Sequence, residues 1–151
     1  MSIVFWSRNR EFRELSNFHE VPMEIDGQQW RSVEHYYQAQ KFAGSPMEEA
    51  IRNAPSPKTA RDLGRTQSPF FVDDWDSQRL VVMEKALRAK FTQNQILRRF
   101  LLSTGDEELI HRSHHDTFWG VTSQSKGENV LGRLLMKVRK SLRQAEDSVG
   151  Q

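Results

Sequence analysis

Glu34, Gln38 and Lys41 fall at i, i+4 and i+7 in the stretch SVEHYYQAQKF, from Ser32 to Phe42. On a helix that spacing stacks an acid, an amide and an amine on one face. Val33, Tyr36 and Tyr37 surround the acid. The ordinary outcome of such a pattern is a solvated charged face beside packed tyrosines. A carboxyl held among aromatics instead has its pKa raised, which is what a general acid needs near neutral pH. Glu34 also sits in the first turn, where a negative charge suits the helix N-terminus.

A second group is SHHDTFWG, Ser113 to Gly120. His111 and His114 lie three apart with Asp116 nearby, but no third ligand and no i, i+4 histidine pair complete a zinc pattern, so no metal is expected. Asp116 before Phe118 and Trp119 reads either as a carboxylate beside an aromatic platform or as a turn aspartate ahead of core aromatics. The third group is SKGENVLGRLLMKVR. Lys126 and Gly127 precede a helix whose free N–H groups would make an anion site, although the phosphate-loop pattern GxxxxGK[ST] is absent. Gly132 inside that helix costs roughly 1 kcal/mol against alanine, which points to close approach of a ligand or of another backbone. Trp75, at the mouth of the longest helix, suits either the core or stacking on a planar base.

The elements that must position these residues are short. SIVFW reads as a strand, and VPMEI, Asp26-Gly27 and QQW read as a hairpin. Ser32 caps a helix from about Val33 to Ala43, with Gly44 as its stop. Ser45-Pro46 and Ser56-Pro57 each open a short helix, the second ending at Gly64. Asp74-Trp75-Asp76 opens the longest helix, to about Thr92, with Leu80, Met83, Leu87 and Phe91 as its apolar stripe. Helices follow over about Gln95 to Leu102 and Glu128 to Gln144, the last with Leu131, Leu134, Leu135, Val138 and Leu142 on one side. Asp106 to Ser125 has no clear periodicity. The fold class is α+β, helix-dominated, a single domain with a small N-terminal β element.

The 151 residues contain no cysteine, which excludes disulfides, thiolate nucleophiles and cysteine zinc sites. No apolar run is long enough to span a membrane, and the N-terminus lacks the pattern of a signal peptide. A cytoplasmic location and no membrane partner are therefore expected. Lys and Arg exceed Asp and Glu by 22 to 20, too small an excess for a general nucleic-acid coat protein.

Taken together, LSNFHEVPMEIDGQQWRSVEHYYQAQKF, PSPKTARDLGR, DDWDSQRLVVMEKALRAKF and HHDTFWG with GENVLGRLLMKVR resemble the NADAR superfamily, the YbiA-like proteins. The resemblance runs in order from about Phe5 to Leu142. It implies an enzyme without cofactor or metal that hydrolyses N-glycosidic bonds to ribose. Family members act on reactive phosphoribosyl intermediates of riboflavin synthesis, and others remove ADP-ribose from guanine bases. Carried onto this chain, the functional positions are Glu34, Trp75, Asp116 and Trp119, with Lys41 matching the motif lysine and Asn129 and Gly132 matching the GxNxLG segment. Gln38, Gly120 and Lys126 join them as expected substrate contacts. TSQSKG after Gly120 departs from the pattern, in a loop that bears on substrate choice.

The chemistry implied is proton delivery to the leaving nitrogen by Glu34, with Asp116 stabilising charge at C1′ or activating water, by analogy with glycoside hydrolysis. Trp75 and Trp119 would stack on the base. Lys41 would bind phosphate or orient Glu34, or else capture C1′ as a Schiff base. The sequence pI of about 9.1 and the basic runs Arg98-Arg99 and Lys137 to Arg143 tilt the reading toward ADP-ribosylated guanine in nucleic acid, with an ADP-ribosyltransferase as counterpart. A phosphoribosylamino-pyrimidine of riboflavin synthesis is the alternative substrate. A module that binds ADP-ribose without cleaving it is the rival class, and the two carboxylates argue against it.

Overall fold

Ser-Pro pairs, an Asp-Gly turn and a serine cap set most of the element boundaries in the computed structural model, which describes residues 1–6 and 10–149. The described chain divides into two compact units, 1–16 with 91–149 and 17–90.

The unit 17–90 carries the hairpin and the short helices. Strands β1 (Met23–Ile25) and β2 (Gln28–Trp30) pair antiparallel, Met23 opposite Trp30. Asp26 and Gly27 between them take φ values of 53° and 81°, the left-handed pair that a two-residue hairpin turn requires. Ser32 Oγ accepts from His35 N and caps α1 (Val33–Gln40). The helix ends three residues before the sequence pattern suggests, so Lys41 is its C-cap and not a helical residue. Helices α2 (Pro46–Arg52) and α3 (Pro57–Gly64) begin at the expected prolines, with Ser45 and Ser56 accepting from Met47 N and Thr59 N. His35, fully buried, is held through its two ring nitrogens by Ser32 Oγ and Ala54 O.

Helix α4 (Trp75–Gln93) runs through the boundary between the units. Met83, Leu87 and Phe91 are buried as the periodicity predicts, and Ala86 and Ala89 join them. Leu80 does not belong to the stripe. It is exposed, whereas Trp75 at this end of the helix is buried.

In the unit 1–16 with 91–149, β3 (Ser2–Phe5) pairs parallel with β4 (Glu108–His111), Ile3 opposite Leu109. The N-terminal strand was expected; its partner was not, since four residues in a two-stranded sheet are too few to show alternation. Helix α5 (Gln95–Ser103) is capped by Asn94, whose Oδ1 accepts from Leu97 N, and α6 (Val130–Val149) packs against β4. Leu131, Leu135, Val138 and Leu142 form the buried side of α6, with Leu134 half-buried. The observed class is α+β and helix-dominated. Among the described residues no helix is long and apolar enough to cross a membrane.

Candidate active site

In the unit 17–90, Glu34 lies in the first turn of α1 and is only 7% exposed. Its backbone N–H donates to Asn17 O at 3.1 Å. Gln38, one turn on, donates from Nε2 to Glu34 Oε1 at 2.8 Å. Burial raises the Glu34 pKa, against the opposing pull of Gln38 and of the charges on Lys41, Arg61 and Arg65. Desolvation wins because a carboxylate loses more in leaving water than one amide bond and three cations outside ion-pair range return. A carboxyl that holds its proton to higher pH beside a hydrogen-bond donor is a group prepared to give that proton up to a substrate.

Lys41 follows on the same side, half-buried, with its Nζ 5.6 Å from the centroid of the Tyr37 ring. Burial is also the leading cause of its lowered pKa, and Arg65 adds to the effect while Glu34 opposes it. No carboxylate lies within ion-pair distance of Lys41 among the described residues. Its carbonyl accepts from Val72 N at 2.9 Å, tying the segment 66–74 to the end of α1.

Trp75 comes to the same place. Its ring meets Tyr37 edge to face, centroids 5.2 Å apart, but it is only 7% exposed. Trp75 is therefore packed against Tyr37, with little of its surface open. The half-exposed aromatics of this unit are Phe70 and Phe71, the latter edge-on to Phe42. They were not singled out in the sequence because a PFF in a loop carries no periodic signal.

Helix α3 contributes residues that the motif spacing does not show. Gly64 is pressed against Gln38: a Cβ placed there would lie 2.0 Å from Gln38 Oε1 and 2.8 Å from its Cβ. Gly64 therefore does more than end a helix; it makes room for the amide that holds Glu34. Gln38 Oε1 is buried without a hydrogen-bond partner. Arg61 lies over the Phe18 ring at 5.3 Å, next to the Asn17 carbonyl that anchors Glu34. The helical register i, i+4 was the available signal for Arg61 and Arg65, within the quoted PSPKTARDLGR.

In the unit 1–16 with 91–149, the other expected residues gather between β4 and α6. Asp116 Oδ1 accepts from Phe118 N and Trp119 N at 2.9 and 2.8 Å, so this carboxylate shapes a turn. Trp119 is half-buried and edge-on to Phe118. Gly120 sits under β4, where a Cβ would meet His111 O at 2.8 Å. Asn129 is buried with φ 53°; its Oδ1 accepts from His111 N and its Nδ2 donates to Leu109 O, both at 2.9 Å. Gly132 lets Leu109 O approach to 2.1 Å of where a Cβ would stand. Both residues of the GxNxLG segment thus serve the contact of α6 with the β4 backbone.

The anion site expected at the start of α6 is not there. The N–H groups of Glu128, Asn129, Val130 and Leu131 donate to the carbonyls of Thr117, Gly120, Phe118 and Trp119, so the loop that carries Asp116 fills the helix end from within the chain. Lys126 is exposed beside it. The basic runs are engaged in part: Arg98 pairs with Glu146, Arg143 with Asp106, and Arg139 is buried on Thr104 Oγ1, while Arg99 and Lys140 are exposed. His111 is half-buried and its pKa lowered by burial, with Asp116 opposing. Among the described residues no group of three acidic or histidine side chains is placed to hold a metal ion.

Comparison with known proteins bears on this arrangement directly. The model of the NADAR domain matches residues 4–143. N-glycosidase YbiA of Escherichia coli K12 is 41% identical over 140 residues, covering 93% of this chain and 88% of that protein. The riboflavin biosynthesis protein VVA0006 of Vibrio vulnificus is 39% identical over 142 residues, 94% of this chain but 39% of its own length. The solution structure of E. coli YbiA superposes with a TM-score of 0.87 at 40% identity, over 97% of this chain and 89% of that one.

Proposed function

The chain belongs to the NADAR domain family and is an N-glycosyl hydrolase; from that premise we propose that it cleaves the C1′–N bond of a phosphoribosylamino-pyrimidine, releasing ribose 5-phosphate and an aminopyrimidine. The observation that supports this reading is the desolvated Glu34, held by Gln38 in a setting that also contains an unpaired lysine. The leaving nitrogen must gain a proton as its bond to C1′ breaks, and burial shifts the Glu34 carboxyl toward the protonated form that can supply it.

Lys41 completes the chemistry. A ribosylamine opens its ring to a C1′=N imine, and the Lys41 amine adds to C1′ and expels the pyrimidine amine, which takes its proton from Glu34. A Lys41–C1′ Schiff base remains, and water hydrolyses it to the free aldehyde and the original amine. Burial lowers the Lys41 pKa, the direction a nucleophilic amine needs, and no carboxylate among the described residues is within ion-pair distance to hold it as an ammonium. Borohydride added during turnover traps a stable adduct on Lys41; an active enzyme that yields no adduct returns the mechanism to direct hydrolysis.

Two observations favour the pyrimidine substrate over ADP-ribosylated guanine. Three cations of the basic runs that suggested nucleic acid, Arg98, Arg139 and Arg143, are committed to ion pairs and hydrogen bonds within the chain. Relatives bear names from riboflavin biosynthesis. The test is release of ribose 5-phosphate from the phosphoribosylamino-pyrimidine, followed by mass spectrometry, with wild type and Glu34→Gln and no added metal. Loss of ADP-ribose from a guanine-modified oligonucleotide, with the pyrimidine left intact, overturns the substrate assignment. Undiminished turnover by Glu34→Gln removes the proton donor.

A further inference from the structure

Three cations gather in the unit 17–90 around one carboxyl. Arg61 and Arg65 stand one turn apart on α3 and its C-cap, on either side of Gly64, whose backbone touches Gln38. Gln38 in turn holds Glu34 at 2.8 Å. Arg61 lies over Phe18, adjacent to the carbonyl that accepts from Glu34 N. Lys41 lies over Tyr37, at the other end of α1.

One carboxylate, Asp62, offsets this charge only in part. It is shared: Lys58 donates to it at 3.0 Å, Arg61 Nε pairs with it at 3.8 Å, and Arg65 acts on it only at longer range. Arg61 Nε is buried with no hydrogen-bond partner, and Arg65 has no ion pair or side-chain hydrogen bond among the described residues. Arginines near a helix C-terminus are favoured by the helix dipole, which accounts for their presence on α3 but not for their convergence with Lys41 on Glu34. Like charges brought together without a counter-anion destabilise the fold unless a ligand supplies the missing charge.

We propose that Arg61 and Arg65 form a subsite for the 5-phosphate monoester of the substrate's ribose, so that the enzyme selects phosphoribosides over ribosides. Guanidinium forks one helical turn apart have Cβ atoms about 5–6 Å from each other, a span that one phosphate can bridge. A monoester carries roughly −1.5 to −2 charge at pH 7, which matches the uncompensated cations. Arg65, exposed, meets the incoming phosphate; Arg61, half-buried against Phe18, fixes its orientation. The assignment rests on the N-riboside reading above but concerns binding, and binding is measurable without turnover.

Calorimetric titration of the full chain with ribose 5-phosphate, ribose and ADP-ribose tests it, alongside steady-state kinetics on the phosphorylated and dephosphorylated riboside. Wild type binds ribose 5-phosphate and not ribose. Arg65→Gln weakens that binding roughly tenfold or more and raises KM for the phosphorylated substrate by a similar factor, while KM for the dephosphorylated riboside stays where it was; the Arg65 charge also acts on Glu34 and Lys41, so any change in kcat falls on both substrates alike. Arg65→Lys restores part of the loss, since it keeps the charge and forfeits the fork. Arg65 is exposed, so its variants keep the wild-type melting temperature; Arg61→Gln is read only where its melting curve is also unchanged. Equal rises in KM on both ribosides, or unchanged affinity for ribose 5-phosphate, overturn the subsite. ADP-ribose bound more tightly than ribose 5-phosphate through the same arginines overturns the monoester assignment. Phosphate-dependent binding without hydrolysis of the pyrimidine upholds the subsite and sinks the proposed reaction instead.

Discussion

Two buried amides divide the chemistry of this chain. Asn129 spends both ends of its side chain on the backbone of β4, donating to Leu109 O and accepting from His111 N. Gln38 spends one end on a carboxyl and leaves its Oε1 without a partner. The same contrast extends to the glycines beside them. Gly132 is small because a strand carbonyl passes over it, and Gly64 because the Gln38 side chain lies against it. Polar groups satisfied by backbone hold elements together. Polar groups kept dry and partly unsatisfied store a cost that a ligand can relieve.

The comparison is broken most directly at Glu34. Replacing it with Gln keeps the shape and should lower kcat by about 10²–10⁴-fold, the usual range for a proton-transfer group, with the melting temperature held or raised because a desolvated carboxyl is gone. A variant that unfolds would place Glu34 with the architectural residues instead. Gly132→Ala should do the reverse, costing about 3 kcal/mol of stability because the Cβ meets a backbone carbonyl that cannot swing away. Chemical denaturation measures it, and a loss under about 0.5 kcal/mol would show that β4 yields.

Asn129→Ala comes next, at about 2 kcal/mol, since it strands a buried N–H and a buried C=O and places alanine at a positive φ. Turnover by the folded fraction should persist. Gly64→Ala sharpens the contrast, because its Cβ meets a side chain and displaces Gln38 from Glu34. Turnover should fall roughly tenfold, or about 1.4 kcal/mol in the barrier, with a smaller loss of stability than Gly132→Ala; the opposite ranking would dissolve the distinction between the two glycines.

The smallest effect is on pH dependence. Burial raises the folded pKa of Glu34 above its ordinary 4.5, so the native state holds this proton more tightly than the unfolded chain. The resulting stabilisation is complete below 4.5 and is lost as pH rises through the raised value. Glu34→Gln should flatten stability in that window, and kcat/KM of the wild type should decline on its alkaline side as the acid ionises. Lys41 has the opposite sign: its lowered pKa makes its contribution fall as pH drops through that value.

The sequence by itself determined most of the local structure. Serine caps, Ser-Pro starts, the Asp-Gly turn and helical periodicity are decisions made over a few residues, and they placed the hairpin and each helix close to where they lie. The spacing of Glu34 and Gln38 was enough to bring them into contact, because i, i+4 on a helix is a local distance. Tertiary structure alone decided what those residues became. Periodicity could not say that Glu34 would be dry, that Trp75 would be buried and Leu80 exposed, or that a loop would fill the start of α6. Nor could it show Ser2–Phe5 pairing with Glu108–His111 across a hundred residues, or α3 bringing Arg61 and Arg65 to Glu34. Burial and long-range pairing depend on what the rest of the chain packs against a residue, and that information is absent from its immediate neighbours.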